Sequence, residues 1–322
     1  MTALDILTCD ATARDAGVML LALEQNKGAS GDKGGLIALD PSGQTVWWHE
    51  FPFVISSCRL SLQRTILVMT SDGRALDIGL NGRVLRQWQG GDVPSPNTFG
   101  AMLATGALHH SVEEIAPDIY LSLATSGEAD DGDTVLVFDR HGSIHWQWDL
   151  DEKLAARASA SCVIMDPTDG GIILSLGPQN AIAKLSRRGT VDWVLGGVAD
   201  FCADKKLTQS GDAFFAPCDL SFAANGDLLF CAKGAAQSWR IDAAKTCAVQ
   251  SWQHGFPSES HRIGAVAETP RGNRFLSHGN GEKLQELSPD GMVVFQASLP
   301  QNGGWVCADA VFMPADPARW LT

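Results

Sequence analysis

TVLVFDRHGSIHWQWDL, residues 134–150, is the stretch that decides the fold. A run of β-branched and apolar residues meets a polar turn at Gly142, and a second run closes on Trp148, the pattern of two antiparallel strands joined by a tight turn. The phrase recurs as GLIALDPSGQTVWWHEF (35–51), RALDIGLNGRVLRQWQGG (74–91), AIAKLSRRGTVDWVLGG (181–197), SWRIDAAKTCAVQSWQHG (238–255) and KLQELSPDGMVVFQASL (283–299). In chain order the closing aromatics are Trp47, Trp88, Trp148, Trp193, Trp252 and Phe295. A repeat of roughly 40 to 60 residues matches a β-propeller blade rather than a solenoid coil.

Working outward, an apolar strand precedes each copy, and a more mixed strand precedes that, which makes four strands per unit. The first copy lacks its own innermost strand, whereas WVCADAVFMPAD (305–316) is a spare one that no further copy follows. The reading is therefore all-β: a six-bladed β-propeller of four-stranded blades, closed by N- and C-terminal strands that share a blade. The inserts QGGDVPSPNTFGAM, TSGEADDGDT and GVADFCADKKLTQSGDAF read as loops over one face.

The 45% hydrophobic content is spread evenly along 322 residues without a polar linker, so residues 1–322 are expected to form one domain. A net charge of −13 repels nucleic acid and anionic membranes, which leaves a small-molecule substrate as the expected partner. The first residues carry Asp5 and Asp10 and no basic segment, so no signal peptide is expected. A cytoplasmic location follows as the expectation, with the eight cysteines as reduced thiols.

Those cysteines need an explanation. ASCVIMDPTDGGIILS aligns without a gap on APCDLSFAANGDLLFC, which makes Cys162 and Cys218 equivalent on innermost strands. The C-terminal strand adds Cys307, and SCRLSLQRTILV adds Cys58 once a turn is shortened. The third blade brings His109 or His110 to that level, and the sixth brings His261 and Arg262. Adjacent residues on a strand face opposite ways, so one of the two histidines is expected to line the channel. Arg59 and Arg262 are candidate cations for an anionic substrate, and His278 is a candidate to reach the funnel. Three roles are open for the cysteine ring: filling narrow space between strands, holding Zn or Cu through Cys58, Cys162, Cys218, Cys307 and His110, or covalent catalysis. The aromatic series reads as packing between blades.

MDPTDGGIILSLGPQNAIAKLSRRGTVDWVLGG (165–197) resembles the aryl-sulfate sulfotransferase family, as do ALHHSVEEIAPDIYLSL (107–123), TVLVFDRHGSIHWQWDLDE (134–152) and FAPCDLSFAANGDLLF (215–230). The resemblance implies a six-bladed propeller with a central active site, where a histidine accepts a sulfuryl group from a phenolic sulfate and passes it to a phenol. His109 and His110 match that family's third-blade histidines. Its His and Asn ahead of the fourth blade fall on Ser159 and Ser161, and its Arg-His pair on Gly177 and Pro178. Its nucleophilic histidine falls on Cys218. The expectation is a divergent member carrying out group transfer or lyase chemistry, with Cys218 as nucleophile or acid/base and His109 or His110 as its partner. The alternatives are a soft-metal-binding propeller and a non-catalytic binding platform.

Overall fold

The computed structural model describes residues 4–25, 33–91, 100–126, 132–150, 154, 158–198, 201–256, 264–278, 283–300 and 304–314. Every quoted hairpin forms as read, for example Asp133–Asp139 against Ile144–Asp149. Six antiparallel sheets build six blades. From the innermost strand outward, blade 1 is Trp305–Pro314, Gly17–Gln25, Lys33–Leu39 and Thr45–Phe51. Blade 2 is Ile55–Leu60, Ile66–Thr70, Arg74–Ile78 and Val84–Gly90, and blade 3 is Leu108–Ala116, Ile119–Thr125, Asp133–Asp139 and Ile144–Asp149. Cys162–Met165, Ile172–Leu176, Ala181–Leu185 and Val191–Gly196 make blade 4. Blade 5 is Cys218–Phe222, Leu228–Ala232, Ala235–Asp242 and Cys247–Gly255, and blade 6 is Val266–Glu268, Arg274–Ser277, Lys283–Leu287 and Val293–Ser298.

Each blade alone leaves apolar faces open, and stacking on its neighbours buries them. The core is accordingly divided into six inter-blade clusters. The closing aromatics are distributed one to each. Trp148, Phe295, Trp193 and Trp88 are buried members of four clusters, while Trp47 and Trp252 pack partly buried against the other two. In every case the aromatic on a blade's outer strand fills the junction with the following blade, which is why the motif recurs once per repeat.

The expected closure is present. Trp305–Pro314 pairs antiparallel with Gly17–Gln25, from Gly17 opposite Pro314 to Gln25 opposite Trp305. The termini tie a second junction, because Asp5–Cys9 adds a fifth strand outside blade 6. Between these two attachments, Arg14 Nε donates to Glu286 Oε2 at 2.7 Å, and its guanidinium lies 4.2 Å from the Phe295 ring centre. Two inserts read as loops also yield short strands. Ala101–Leu103 and Thr208–Ser210 add in parallel to the outer edges of blades 2 and 5, covering edges that would otherwise be open to pairing. No helix among the described residues is long and apolar enough to cross a membrane.

Candidate functional site

The six innermost strands converge on a central cavity of about 430 Å³ to which every blade contributes. Blade 1 supplies Glu24, Cys307 and Asp309, blade 2 Ser57 and Arg59, blade 3 His110 and Ser111. Ser161 and Cys162 come from blade 4, Cys218 and Asp219 from blade 5, and Gly264 from the approach to blade 6. Four of these strands are irregular at the cavity. The register shifts between Ile55 and Ser57, His109 and Val112, Cys218 and Ser221, and opposite Cys307 to Asp309. A bulge re-aims the side chains beside it, and His110 (φ 61°) and Asp219 (φ 50°) adopt the left-handed backbone that allows this.

The innermost strands are also latched to one another around the ring. Asp309 Oδ2 accepts the Cys58 N–H at 2.8 Å, Ser111 Oγ accepts that of Val163 at 3.1 Å, and Asp219 Oδ2 accepts that of Val266 at 2.8 Å. Cys162 Sγ takes the equivalent role toward Leu220 N–H at 3.4 Å. These bonds satisfy backbone donors that water cannot reach between the blades.

Arg59 sits between two carboxylates. Its Nη1 donates to Asp309 Oδ2 at 2.6 Å and to the Cys58 carbonyl at 2.9 Å, and Nη2 donates to Asp219 Oδ1 at 2.9 Å. Burial works against its charge, but Asp309 and Asp219 more than restore it, so the guanidinium stays protonated. Asp219 shares that one cation with Asp309. Burial, then repulsion from Asp309, outweigh Arg59 and push its carboxyl up to about 7. Among the described residues that line the cavity, Asp219, Asp309 and Glu24 carry carboxyl groups and Arg59 carries a guanidinium. The expected role of Arg59 as a clamp for an anion is not available, because two carboxylates already occupy it.

The cysteines divide differently from the expected ring. Cys162, Cys218 and Cys307 line the cavity, whereas Cys58 is fully buried in the cluster between blades 1 and 2. Ser57 and Arg59 take the cavity-facing side of that strand, since a one-residue difference in register turns a side chain to the opposite face. Burial raises all four thiols: Cys162 to about 11, Cys307 to about 12, and Cys58 and Cys218 well above the ordinary value. For Cys218 the neighbouring Asp219 and Cys162 add to the rise. The nucleophile is the thiolate, and these surroundings suppress it. Among the described residues no group of three or more His, Cys, Asp or Glu side chains is placed to hold a metal ion, and this includes Cys58, Cys162, Cys218, Cys307 and His110, the set left open as Zn or Cu ligands.

Of the paired histidines, His110 lines the cavity. His109 is not turned fully away. The bulge folds the two rings edge to face, with Nδ1 2.6 Å from Nδ1 and centroids 4.8 Å apart. On its far side His109 Nε2 lies 3.2 Å from Asp133 Oδ1, bent away from the line of a full hydrogen bond. His278 belongs elsewhere: it is buried, its Nε2 is 2.8 Å from Gln285 Oε1, and it packs against Phe256 and His254. Burial, then Lys283, lower it to about 4, so it stays neutral inside that cluster. His261 and Arg262 lie outside the described residues. Asp219, Asp309 and Asp133 were missed in sequence. For Asp219 and Asp309 the available signal was an acidic residue directly after, or two after, an inner-strand cysteine, in the strings APCD and VCAD, and Asp133 carried none.

No family model and no curated protein matches the chain. Solved structures do. A protein of unknown function from Bacteroides caccae superposes with a TM-score of 0.57 at 14% identity, covering 92% of this chain and 99% of that one. A streptogramin B lyase gives 0.53 at 12% identity, covering 92% and 87%. A catalytically inactive virginiamycin B lyase from Staphylococcus aureus, solved with quinupristin, gives 0.53 at 11% identity, covering 94% and 89%. At these identities the likeness is one of fold.

The thiol environment makes a direct prediction. A thiol-specific chromogenic reagent added to native protein should label Cys9, which is exposed, far faster than Cys58, Cys162, Cys231 and Cys307, which should react only on unfolding. At neutral pH the rise of Cys162 to about 11 leaves it roughly 100-fold less thiolate than a thiol of ordinary acidity. Fast labelling of the cavity cysteines would contradict this account. Cys218→Ser should likewise keep any catalysis within about tenfold, since an acidified thiolate is not what this site offers.

Proposed function

We propose that the central cavity is the active site of a lyase that acts on a small, uncharged polar substrate by general acid–base chemistry, with Asp219 as the acid. The observation that carries this reading is a cavity-lining carboxyl held beside a second carboxylate, Asp309, on one shared guanidinium, where burial and that neighbour push Asp219 up to about 7 and favour a proton it can give. In the elimination envisaged, a base removes a proton from carbon, the C–H electrons form the C=C bond, and the adjacent C–O bond breaks. The departing oxygen takes the proton of Asp219, which is recovered from solvent. Both Asp219 oxygens already accept hydrogen bonds, from Arg59 and Val266, which fixes the carboxyl plane so that its remaining proton has a defined direction.

Arg59 is already engaged by Asp219 and Asp309, so it offers no ready clamp for a sulfate ester, which favours a neutral ligand. Sulfuryl transfer of the arylsulfotransferase kind is the less favoured reading for the same reason, and because the nucleophile position carries a thiol held protonated. Lyase chemistry on a propeller has precedent in the solved structures named above, which is an argument from fold alone.

The test is incubation with neutral esters bearing a β-leaving group, with quinupristin, and with p-nitrophenyl sulfate, followed by mass spectrometry. Elimination products from a neutral substrate, with formation strongly reduced in Asp219→Asn, are expected. Sulfate turnover instead, or tight binding of a neutral ligand with no conversion, would replace the lyase by a transferase or a binding propeller.

A further inference from the structure

We propose that His110 is the base of this cavity, and that Asp133 and His109 set it to that role by fixing which of its two ring nitrogens is bare. The inference rests on the acid–base reading above for the word base, but its structural content stands on the contacts of Asp133, His109 and His110.

A neutral imidazole carries one N–H and one lone pair, so a contact that fixes the proton on one nitrogen dictates the chemistry of the other. Asp133 is an ionised acceptor. Burial opposes its charge, but the contact with His109 and the hydrogen bond from Ala160 N–H at 2.7 Å hold its carboxyl below the usual carboxylate range. An acceptor 3.2 Å from His109 Nε2 favours the proton on that nitrogen, even with the contact bent. His109 Nδ1 is then a lone pair. His110 Nδ1, 2.6 Å from it, must be the donor, because two lone pairs at that distance repel and two N–H groups clash. The bare nitrogen of neutral His110 is consequently Nε2, on a ring that lines the cavity. When Nε2 takes a proton from substrate carbon, the imidazolium charge is shared through His109 with Asp133, and no heavy atom has to move.

Three features make this arrangement more than incidental packing. His110 holds a left-handed backbone angle, 61°, that a histidine adopts at a cost, at the bulge where the two Nδ1 atoms meet. Asp133 is anchored through its other oxygen to Ala160 N–H, on the approach to blade 4, so its position does not depend on the histidines alone. Burial, then His109, also keep the His110 pKa below that of a free imidazole, which favours the neutral, proton-accepting form at neutral pH. His109 is thus a positioning residue, whereas His110 is the group that would touch substrate.

The experiment is ¹⁵N spectroscopy of the imidazoles in the full-length protein labelled at histidine, recorded where free imidazole is neutral. Ring nitrogens with and without a proton resonate far apart, so each tautomer reads directly. The expected result is a protonated Nδ1 and bare Nε2 at His110, the reverse at His109, and a coupling across the hydrogen bond between the two Nδ1 atoms. A protonated Nε2 at His110, or rapid averaging between tautomers, would overturn the proposal. In His109→Phe the His110 signals should move toward the ordinary mixture dominated by protonated Nε2; unchanged signals would remove the positioning role. The wild-type spectrum decides the matter by itself if that variant does not fold. A correct tautomer in a protein that converts no neutral substrate would leave the hydrogen-bonded chain standing and refute only the lyase reading.

Discussion

Asp219→Asn is expected to lower turnover of a neutral substrate by about 100- to 10,000-fold, the range that a positioned general acid contributes. The same substitution should change the pH dependence of stability, and the sign follows from the direction of the shift. The folded-state pKa of Asp219 lies at about 7, above its unfolded value near 3.8. Between those values the folded chain holds a proton that the unfolded chain has released. The contribution is fully present below the unfolded pKa and is lost as pH rises through about 7, since ∂ΔG/∂pH is negative where the native state binds more protons. The loss is on the order of a few kcal/mol. Asparagine cannot titrate, so the difference in unfolding free energy between wild type and variant should slope steadily through that interval. Urea melts at a series of pH values measure it, and a flat difference would mean that Asp219 ionises normally.

The architecture was legible because it is written redundantly. Six hairpins, each closing on an aromatic that fills the same kind of junction, survive errors in any one copy. The shared first blade was legible too, since a strand such as Trp305–Pro314 with no hairpin to follow has to pair somewhere. The added edge strands were not, because Ala101–Leu103 and Thr208–Ser210 are too short to show a period of two.

The site was legible only in outline. The innermost strands gather Cys162, Cys218, Cys307, Arg59 and His110 around the cavity, yet chemistry depends on which face each residue takes and who stands beside it. Cys58 and Arg59 are neighbours on opposite faces of one strand, and a single residue of register decides which of them meets the cavity. His109 and His110 should diverge on a regular strand, and a bulge makes them converge. Nothing in a one-dimensional alignment reports a bulge. The acidic partners Asp219 and Asp309 lie 160 and 250 residues from Arg59, so only closure of the ring reveals that the cation is already paired.

Arg59→Met is expected to destabilise the protein by about 3 to 5 kcal/mol, the range found when one partner of a buried ion pair is removed. The side chains of Asp219 and Asp309 are only 11% and 3% exposed, so neither can recover by turning to water. Methionine fills much of the volume, and the loss therefore reports charge rather than a cavity. The sign of its pH dependence separates this from simple misfit. With Arg59 gone, the two carboxyls relieve their repulsion by binding protons, so the deficit should be largest at neutral pH and shrink as pH falls toward the ordinary carboxylate range. Adding Asp219→Asn and Asp309→Asn to Arg59→Met removes the stranded charges and should restore much of the loss, although the Cys58 and Val266 N–H groups then bond to amide oxygens instead of carboxylates. Chemical denaturation of the single and triple variants gives the comparison. A single variant within about 1 kcal/mol of wild type would place the triad among weakly coupled surface pairs, and a triple variant no better than the single would assign the loss to packing around the guanidinium rather than to its charge.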